Sequence, residues 1–345
     1  MRCLFPLLLA GALSAGCLTL HAALQSTEGE LTLLAARRPI AEVIERPRTP
    51  GRLRVLLGQI ALVKKFGEQN GLRPTSNYQD YVQLDRPCAV WVVSACAPLR
   101  FQSKTWSFPV AGDFPYLGWF DLRSAQDYAR ELEEEGWDVD LRCASAYSTL
   151  GFFRDPVLSS MIARGAEALG DLVDVVLHES VHATLYLEGQ APFNESLASF
   201  VADRLTQRYL DGRRGPNSRE RTAWEGVEAR TKAAAVQLHR AHDELQALYA
   251  SALADEPKRA RKATLLAALN DKLHLSGRIN NATLAQFRTY RSGERGFAQL
   301  LSACSDDFGC FLARVRTLTL ASFSRPQQEE LDQILQRLTD SGVKR

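Results

Sequence analysis

Hydrophobic residues recur at helical spacing along the first part of the chain, residues 24–75. The recurring positions include Leu31, Leu33, Leu34, Ile40, Val43 and Ile44, and then Leu53, Leu56, Leu57, Ile60, Leu62 and Val63. Side chains three or four positions apart share one face of an α-helix, so the pattern predicts amphipathic helices. Pro47 and Pro50 with Gly51 interrupt the pattern and separate two predicted helices, because proline cannot donate a helical hydrogen bond.

The pattern changes in residues 87–155, where β-branched and aromatic residues replace the helical spacing. Short runs of such residues, bounded by turn-forming residues, are typical of strands. They predict strands within 88–93, 105–110, 116–120 and 137–141, and an amphipathic helix at 124–135. This region is therefore predicted to form a small β-sheet.

Two helices are predicted after the sheet. The apolar run from Leu169 to Leu177 continues through residues 178–187 and predicts a buried helix, which ends before Pro192. A second helix is expected to start near Asn194, a good N-cap residue, with Phe193 before it as a hydrophobic staple. These two helices occupy residues 168–212.

The remainder of the chain, residues 217–345, is predicted to be helical. Residues 219–262 are charged and contain few helix breakers, which indicates a helical hairpin or one long helix. The order of elements predicts an α+β fold that is predominantly helical, with the small sheet ahead of the two buried helices.

Composition excludes some classes of partner. The formal net charge is +2 and 24% of the residues are charged, a balance that does not favour nucleic-acid binding. After the N-terminus, no apolar stretch is long enough to span a membrane, and no repeat or low-complexity tract is found.

The most specific motif lies in the first of the two buried helices. The run from His178 to His182 is the H-E-x-x-H zinc signature, and Glu195 follows His182 by 13 residues. Histidines at i and i+4 share one helix face, so His178, His182 and Glu195 are predicted to bind Zn²⁺. Glu179 is then predicted to be the catalytic general base beside the open coordination position. The alternative is an ordinary helix whose polar residues have no metal.

A sheet ahead of such a helix is the plan of thermolysin-like zinc peptidases, so the fold is predicted to be zincin-like. In these enzymes an edge strand binds the extended peptide substrate by strand addition. The candidate edge strand is residues 147–153, or one of the strands before it; the alternative is that this segment is only part of the core.

The N-terminus predicts export. Met1 and Arg2 precede an apolar run, residues 4–13, which is typical of a signal peptide. Residues 13–17 look like the lipobox of a bacterial lipoprotein, so residues 1–17 are predicted to be the signal and Cys17 the lipidated mature N-terminus. The residue after Cys17 is not Asp, which indicates a periplasmic lipoprotein anchored to the outer membrane. Ordinary signal cleavage nearby is the alternative, and residues 18–345 are predicted to form a single zincin-like peptidase unit.

Export makes disulfides possible. Apart from Cys3 and Cys17, the chain contains Cys88, Cys96, Cys143, Cys304 and Cys310. The odd number predicts at least one free thiol or an unusual pairing. Cys304 and Cys310 are one candidate pair; Cys88 and Cys96 are a second, unless both are buried thiols.

Several longer segments carry a family resemblance. They are Arg38-Pro39-Ile40, residues 104–112, residues 147–156, the zinc motif, residues 193–198, and Asn280-Asn281-Ala282 with Tyr290. Through them the chain resembles the family of predicted bacterial zinc aminopeptidases, often described as lipoproteins, over nearly all of the mature chain. The resemblance implies a gluzincin-like site with Glu195 as third ligand, and an aminopeptidase activity. Ser107 replaces an expected cysteine and Phe152 an expected tryptophan, and neither change removes a catalytic group.

Further residues are candidates for supporting roles. Tyr290 is the first candidate to stabilise the oxyanion that develops during hydrolysis, with Tyr147 and Tyr186 as alternatives. Asp203 is a candidate to orient a ligand histidine from behind, or else a helix-surface carboxylate.

An aminopeptidase also needs an acidic group for the α-ammonium of its substrate, and Asp113, Asp155 and Glu188 are candidates. Two other functions remain open at this point. One is a zinc-binding envelope lipoprotein without catalysis, acting as a scaffold or chaperone; the other is an endopeptidase.

Overall fold

The structure, a computed structural model, describes residues 29, 31–108, 112–146, 154–274, 277–289, 293–328 and 330–340. Several predicted features lie outside these ranges: Cys17 with its signal segment, Tyr147, Tyr290 and the candidate edge strand 147–153. Within the described ranges, no helix combines the length and the apolar character that crossing a membrane requires.

The secondary structure is mostly helical with short strands, which agrees with the α+β prediction. Residues 31–36 are helical. The further helices are α1 (Ile40–Glu45), α2 (Gly51–Leu57), α3 (Ile60–Gln69), α4 (Leu122–Glu134), α5 (Ala168–Thr184), α6 (Ala191–Arg214), α7 (Arg219–Ala250), α8 (Asp255–Leu273), α9 (Asn281–Thr289), α10 (Glu294–Ala303), α11 (Phe308–Val315) and α12 (Asp332–Asp340). The strands are β1 (Arg38–Pro39), β2 (Asp80–Val82), β3 (Val90–Cys96), β4 (Trp106–Phe108), β5 (Gly112–Phe114), β6 (Leu117–Trp119), β7 (Asp138–Ala144) and β8 (Val157–Leu158).

The chain divides into two compact units, each built from separate segments. Unit 1 comprises residues 1–37, 83–147 and 236–285, and unit 2 comprises residues 38–82, 148–235 and 286–345. The single peptidase unit over residues 18–345 stays a prediction.

Unit 1 contains the predicted sheet. Strand β3 lies between β6 and β7, and both pairings are antiparallel. Helix α4 covers this sheet and buries Tyr128 and Leu132 against Val93 and Trp119. The Trp106 indole donates a hydrogen bond of 2.6 Å to the Tyr128 hydroxyl. The strands predicted within 88–93, 116–120 and 137–141 and the helix predicted at 124–135 are therefore confirmed. Strand β4, within the predicted strand 105–110, pairs antiparallel with β5 in a separate two-stranded sheet.

A disulfide joins Cys88 to Cys143, and Cys96 is a buried free thiol. The predicted Cys88–Cys96 pair is wrong because β3 is extended between them, which separates two residues eight positions apart by about 26 Å. The β3–β7 register instead sets Cys143 opposite Trp91, close to Cys88. The predicted Cys304–Cys310 disulfide is present in unit 2.

The second half of α7 forms an antiparallel hairpin with α8 in unit 1. Leu238 and Leu245 of α7 pack with Leu266 and Leu269 of α8. The hairpin alternative for residues 219–262 is thereby confirmed.

Unit 2 is built around helices α5 and α6. Helix α3 packs on α5, since Gly67 of α3 leaves just enough room for Leu177. Phe193 and Phe200 of α6 meet Phe297 of α10, with ring centroids 6.3 and 5.5 Å apart. A short sheet of order β1-β2-β8 completes this unit.

Helix α6 begins at Ala191 and not near Asn194 as predicted. Pro192 fits in its first turn, where the backbone N–H has no helical acceptor in any case. Asn194 therefore lies inside the helix. Its side chain accepts a hydrogen bond from the Leu187 N–H (2.9 Å) and donates one to the Leu187 carbonyl (2.8 Å).

Candidate metal centre

Helices α5 and α6 bring the three predicted ligands together in unit 2. His178 and His182 lie one turn apart on α5, and their Nε2 atoms are 3.1 Å apart. Glu195 of α6 approaches both: its Oε2 is 3.4 Å from His178 Nε2, and its Oε1 is 3.5 Å from His182 Nε2. Among the described residues, this is the cluster of histidine and carboxylate side chains able to hold a metal ion.

These separations fit a tetrahedral ion. Donor atoms at the corners of a tetrahedron stand about 3.3 Å apart when each is about 2.0 Å from Zn²⁺. The separation between the two Nε2 atoms, 3.1 Å, lies close to that value, and each Nε2 atom has one oxygen of the Glu195 carboxylate at 3.4 or 3.5 Å. With one donor atom from each residue, the three donors lie within 4.8 Å of one another. Two imidazoles and one carboxylate also match the ligand set of catalytic zinc sites, which leave a corner open.

The site can be reached from solvent. The side chain of Glu195 is 27% exposed, and those of His178 and His182 are 18% and 10% exposed. A structural metal site is normally closed by four protein ligands, whereas a catalytic site keeps one position for water or substrate. Three ligands with partial exposure therefore favour a catalytic arrangement.

The two histidines differ in their affinity for protons. Burial disfavours the charged form of His178, but the hydrogen bond to Glu195 and the charges of Glu179, Glu195 and Asp174 outweigh it and raise its pKa to about 9. Burial and the neighbouring His178 lower the pKa of His182 to about 4. In the metal-free protein at neutral pH, His178 therefore favours the imidazolium form and His182 the neutral form.

Glu179, the predicted base, follows His178 on α5 and has electrostatic neighbours that the motif does not reveal. Burial, and then the charges of Glu179 and Asp155, raise the pKa of the Tyr78 phenol far above its usual range. Tyr78 is thus a neutral phenol on which the charge of Glu179 acts. Nothing in the spacing of the chain singles it out, because it comes from the loop after α3.

The backbone around Tyr78 is held in an unusual conformation. Its φ of 62° is in the left-handed region, which is disfavoured for a bulky residue. The Tyr78 N–H donates to the Asp155 carbonyl (2.7 Å). The Asp155 N–H donates to Oδ1 of Asn77 (3.1 Å), and Nδ2 of Asn77 donates to Oδ2 of Asp155 (3.3 Å). These contacts fix the backbone of Tyr78 and the Asn77 side chain to Asp155.

The other candidate residues are distributed as follows. Tyr186 is 45% exposed, and its ring lies 6.1 Å from that of His182. Glu188 is exposed, and Asp155 is buried with Asn77. The side chain of Asp113 lies outside the described part, as do Tyr147 and Tyr290.

Asp203 forms an ion pair with Lys232 of α7, with 3.0 Å between Oδ2 and Nζ. Its role in orienting a ligand histidine stays a prediction. Asp203 also acts on Asp174, one turn before His178: burial and the charge of Asp203 raise the pKa of Asp174 to about 7. Burial and the charge of Glu167 raise the pKa of Asp171 to about 6.

Comparison with known proteins identifies the family. The family model Aminopep, described as "Putative aminopeptidase", matches residues 23–331, which include the sheet of unit 1 and the whole metal centre. Comparisons with curated proteins and with solved structures find no match. Membership supports a peptidase function at a general level. The chain belongs to the Aminopep family.

Proposed function

We propose that the protein is a zinc-dependent peptidase with a zincin-like fold, and that it acts as an aminopeptidase. The observation that carries the proposal is the spacing of the Nε2 atoms of His178 and His182 and the carboxylate of Glu195, which fits a tetrahedral ion with one open corner. The family description supports the aminopeptidase class.

The roles of the side chains follow from their chemistry. His178, His182 and Glu195 would hold the ion, which when bound supplies a Lewis acid that polarises the peptide carbonyl and acidifies water. Glu179 takes a proton from the attacking water and passes it to the leaving amine. Tyr290 remains our candidate for oxyanion stabilisation, and Tyr186 is the described alternative.

The substrate's α-ammonium group needs a carboxylate that it can reach. Glu188 fits this role best among the described candidates, because its side chain is exposed. Its charge also acts on Tyr186: burial is the main cause that raises the pKa of Tyr186, and the charges of Glu195 and Glu188 add to it. Asp155 is buried and bonded to Asn77. We therefore propose that Glu188 binds the free amino terminus of a peptide.

The decisive experiment combines metal analysis with digestion of a peptide library read by mass spectrometry. Glu179→Gln is expected to keep zinc and to lose at least about a hundredfold in turnover, since general base catalysis contributes about 10²–10⁴. Glu167→Gln is the matched control, at the N-cap of the same helix, and should keep full activity. If the wild type binds zinc but is inert on the library, a non-catalytic scaffold replaces this proposal.

Peptides with blocked and free amino termini separate the two kinds of peptidase. An aminopeptidase cleaves only the free-amine set, and Glu188→Gln should then raise KM for that set without changing zinc content. Equal cleavage of blocked peptides would identify an endopeptidase instead.

We also propose that the protein is exported to the periplasm and anchored to the outer membrane through lipidated Cys17. The disulfides Cys88–Cys143 and Cys304–Cys310 support an oxidising compartment. Labelled palmitate should be incorporated by the wild type and not by a Cys17→Ser variant. Equal labelling of both would exclude Cys17 as the anchor.

A further inference from the structure

The position of Glu195 relative to the two histidines depends on a short connection. Helix α5 ends at Thr184 and α6 begins at Ala191, so residues 185–190, here called the helix link, join the histidine helix to the glutamate helix. Glu195 lies in the second turn of α6. Any displacement of the helix link therefore moves its carboxylate relative to the imidazoles.

A distant part of unit 2 holds the end of this link. The segment 324–328, here called the glutamine loop, lies against Gly189 and Gln190. The side chain of Gln190 donates a hydrogen bond to the Arg325 carbonyl (2.8 Å) and accepts one from the Gln328 N–H (3.0 Å). Gln190 is only 3% exposed, so both of its amide atoms are used within the protein.

Gln327 completes the contact from the other side. Its N–H donates to the Gly189 carbonyl (2.8 Å), and its side-chain Oε1 accepts from the Ala191 N–H (3.0 Å). The first N–H groups of a helix have no partner within the helix, and the N-cap residue Gln190 supplies no side-chain cap to α6. Gln327 therefore caps α6 from a distant part of the chain.

The helix itself does not depend on this contact. Phe193, Leu197, Val201 and Leu205 are fully buried along α6 and stabilise it by packing. Gln327 nevertheless adopts a left-handed conformation with φ of 51°, which is disfavoured for a residue with a side chain. Three of the four hydrogen bonds thus hold Gly189 and Gln190 of the helix link, and the fourth caps Ala191, one turn before the metal ligand.

We propose that Gln190 and Gln327 are positioning residues that fix Glu195 at its distance from His178 and His182, and so set the affinity of the metal centre. The inference rests on the proposed function, since it assumes that the three side chains bind zinc. Groups that orient a metal ligand without touching the ion typically change metal affinity by about 10–100-fold when they are removed.

The test measures zinc binding by the full chain, by competition with a chromophoric chelator and without substrate. Gln190→Ala should weaken zinc affinity about 10–100-fold, and Gln327→Ala about tenfold. The double variant should lose less than the product of both effects, because the two side chains hold the same link. Both should also alter the absorption spectrum of bound Co²⁺, which reports coordination geometry.

Arg325→Ala is the matched control. It removes the exposed ion pair between Arg325 of the glutamine loop and Glu330, in which Nη2 and Oε2 are 2.7 Å apart. It keeps the Arg325 backbone carbonyl that accepts the hydrogen bond from Gln190. Zinc affinity should stay within threefold of the wild type. Gln327 is exposed, so its alanine variant is expected to fold even where Gln190→Ala does not.

The possible results differ in what they refute. If the glutamine variants lose stability in the metal-free state but keep the zinc affinity and the Co²⁺ spectrum of the wild type, the two residues are merely structural and the inference is wrong. If the wild type binds no zinc, the proposed metal centre fails, and this inference with it.

Discussion

Replacing Asp174 by asparagine should stabilise the metal-free protein, by an amount that grows as the pH rises from about 4 to about 7. Asp174 lies on α5 one turn before His178, and its Oδ1 has no hydrogen-bond partner among the described residues. Burial, followed by the charge of Asp203, raises its pKa from 3.8 to about 7. The folded protein thus favours the protonated carboxyl.

The sign and size of the effect follow from proton linkage. Because the pKa of Asp174 is higher in the folded than in the unfolded state, its contribution to stability is fully present below pH 4 and is lost as the pH rises through about 7. A difference of about 3 pKa units corresponds to at most about 4 kcal/mol. The side chain is partly exposed, so we expect about 2–4 kcal/mol.

Asparagine has nearly the same shape and cannot ionise. Urea unfolding in the presence of a chelator, followed by tryptophan fluorescence, should give equal free energies of unfolding for wild type and Asp174→Asn near pH 4. By pH 8 the variant should be more stable by about 2–4 kcal/mol.

Asp171→Asn provides a graded comparison. The pKa of Asp171 is about 6, so the stabilisation gained by Asp171→Asn should be smaller and should reach its full size at a lower pH. A difference between Asp174→Asn and the wild type that does not change between pH 5 and 8, or a loss of stability at pH 8, would refute the reasoning.

Three further predictions concern the metal centre, the core and the disulfides. Zinc binding at pH 7 should release about one proton from His178, because the pKa of His178 is about 9 without metal. The binding heat measured by calorimetry should therefore vary with the ionisation enthalpy of the buffer, and a buffer-independent heat would contradict this prediction. Phe297→Ala, at a fully buried ring, should lower the free energy of unfolding by about 3–5 kcal/mol in a urea titration, and a loss below about 1 kcal/mol would show that this aromatic cluster is not a close-packed core. Replacing Cys88 and Cys143 by serine removes a disulfide that closes a loop with a sequence separation of 55, and should lower the free energy of unfolding by about 4 kcal/mol in the same assay. An unchanged urea midpoint would mean that this disulfide does not form in solution.

Local patterns in the chain were sufficient for the parts of the fold that depend on neighbouring residues. Strand β3 follows from its β-branched and aromatic residues, helix α4 from its amphipathic pattern, and helix α5 from its apolar run. The same period sets His178 and His182 on one face of α5. The prediction was less accurate beside a proline, since Pro192 lies in the first turn of α6 and not before that helix.

Contacts between distant segments were beyond the reach of such patterns. The partner of Cys88 depends on the β3–β7 register, and the cap of α6 depends on Gln327. The charge of Glu179 acts on Tyr78, a residue of the loop after α3 that is distant from Glu179 in the chain.

For this protein, the sequence alone determined which side chains can bind a metal ion, because helical spacing and the chemistry of histidine and glutamate are local properties. The tertiary structure decided whether those side chains meet. The distances from Glu195 to His178 and His182 are set by the packing of α5 on α6 and by the link between them, which involves residues far apart in the chain. No local periodicity encodes such distances, because they result from burial and hydrogen bonding of the whole unit.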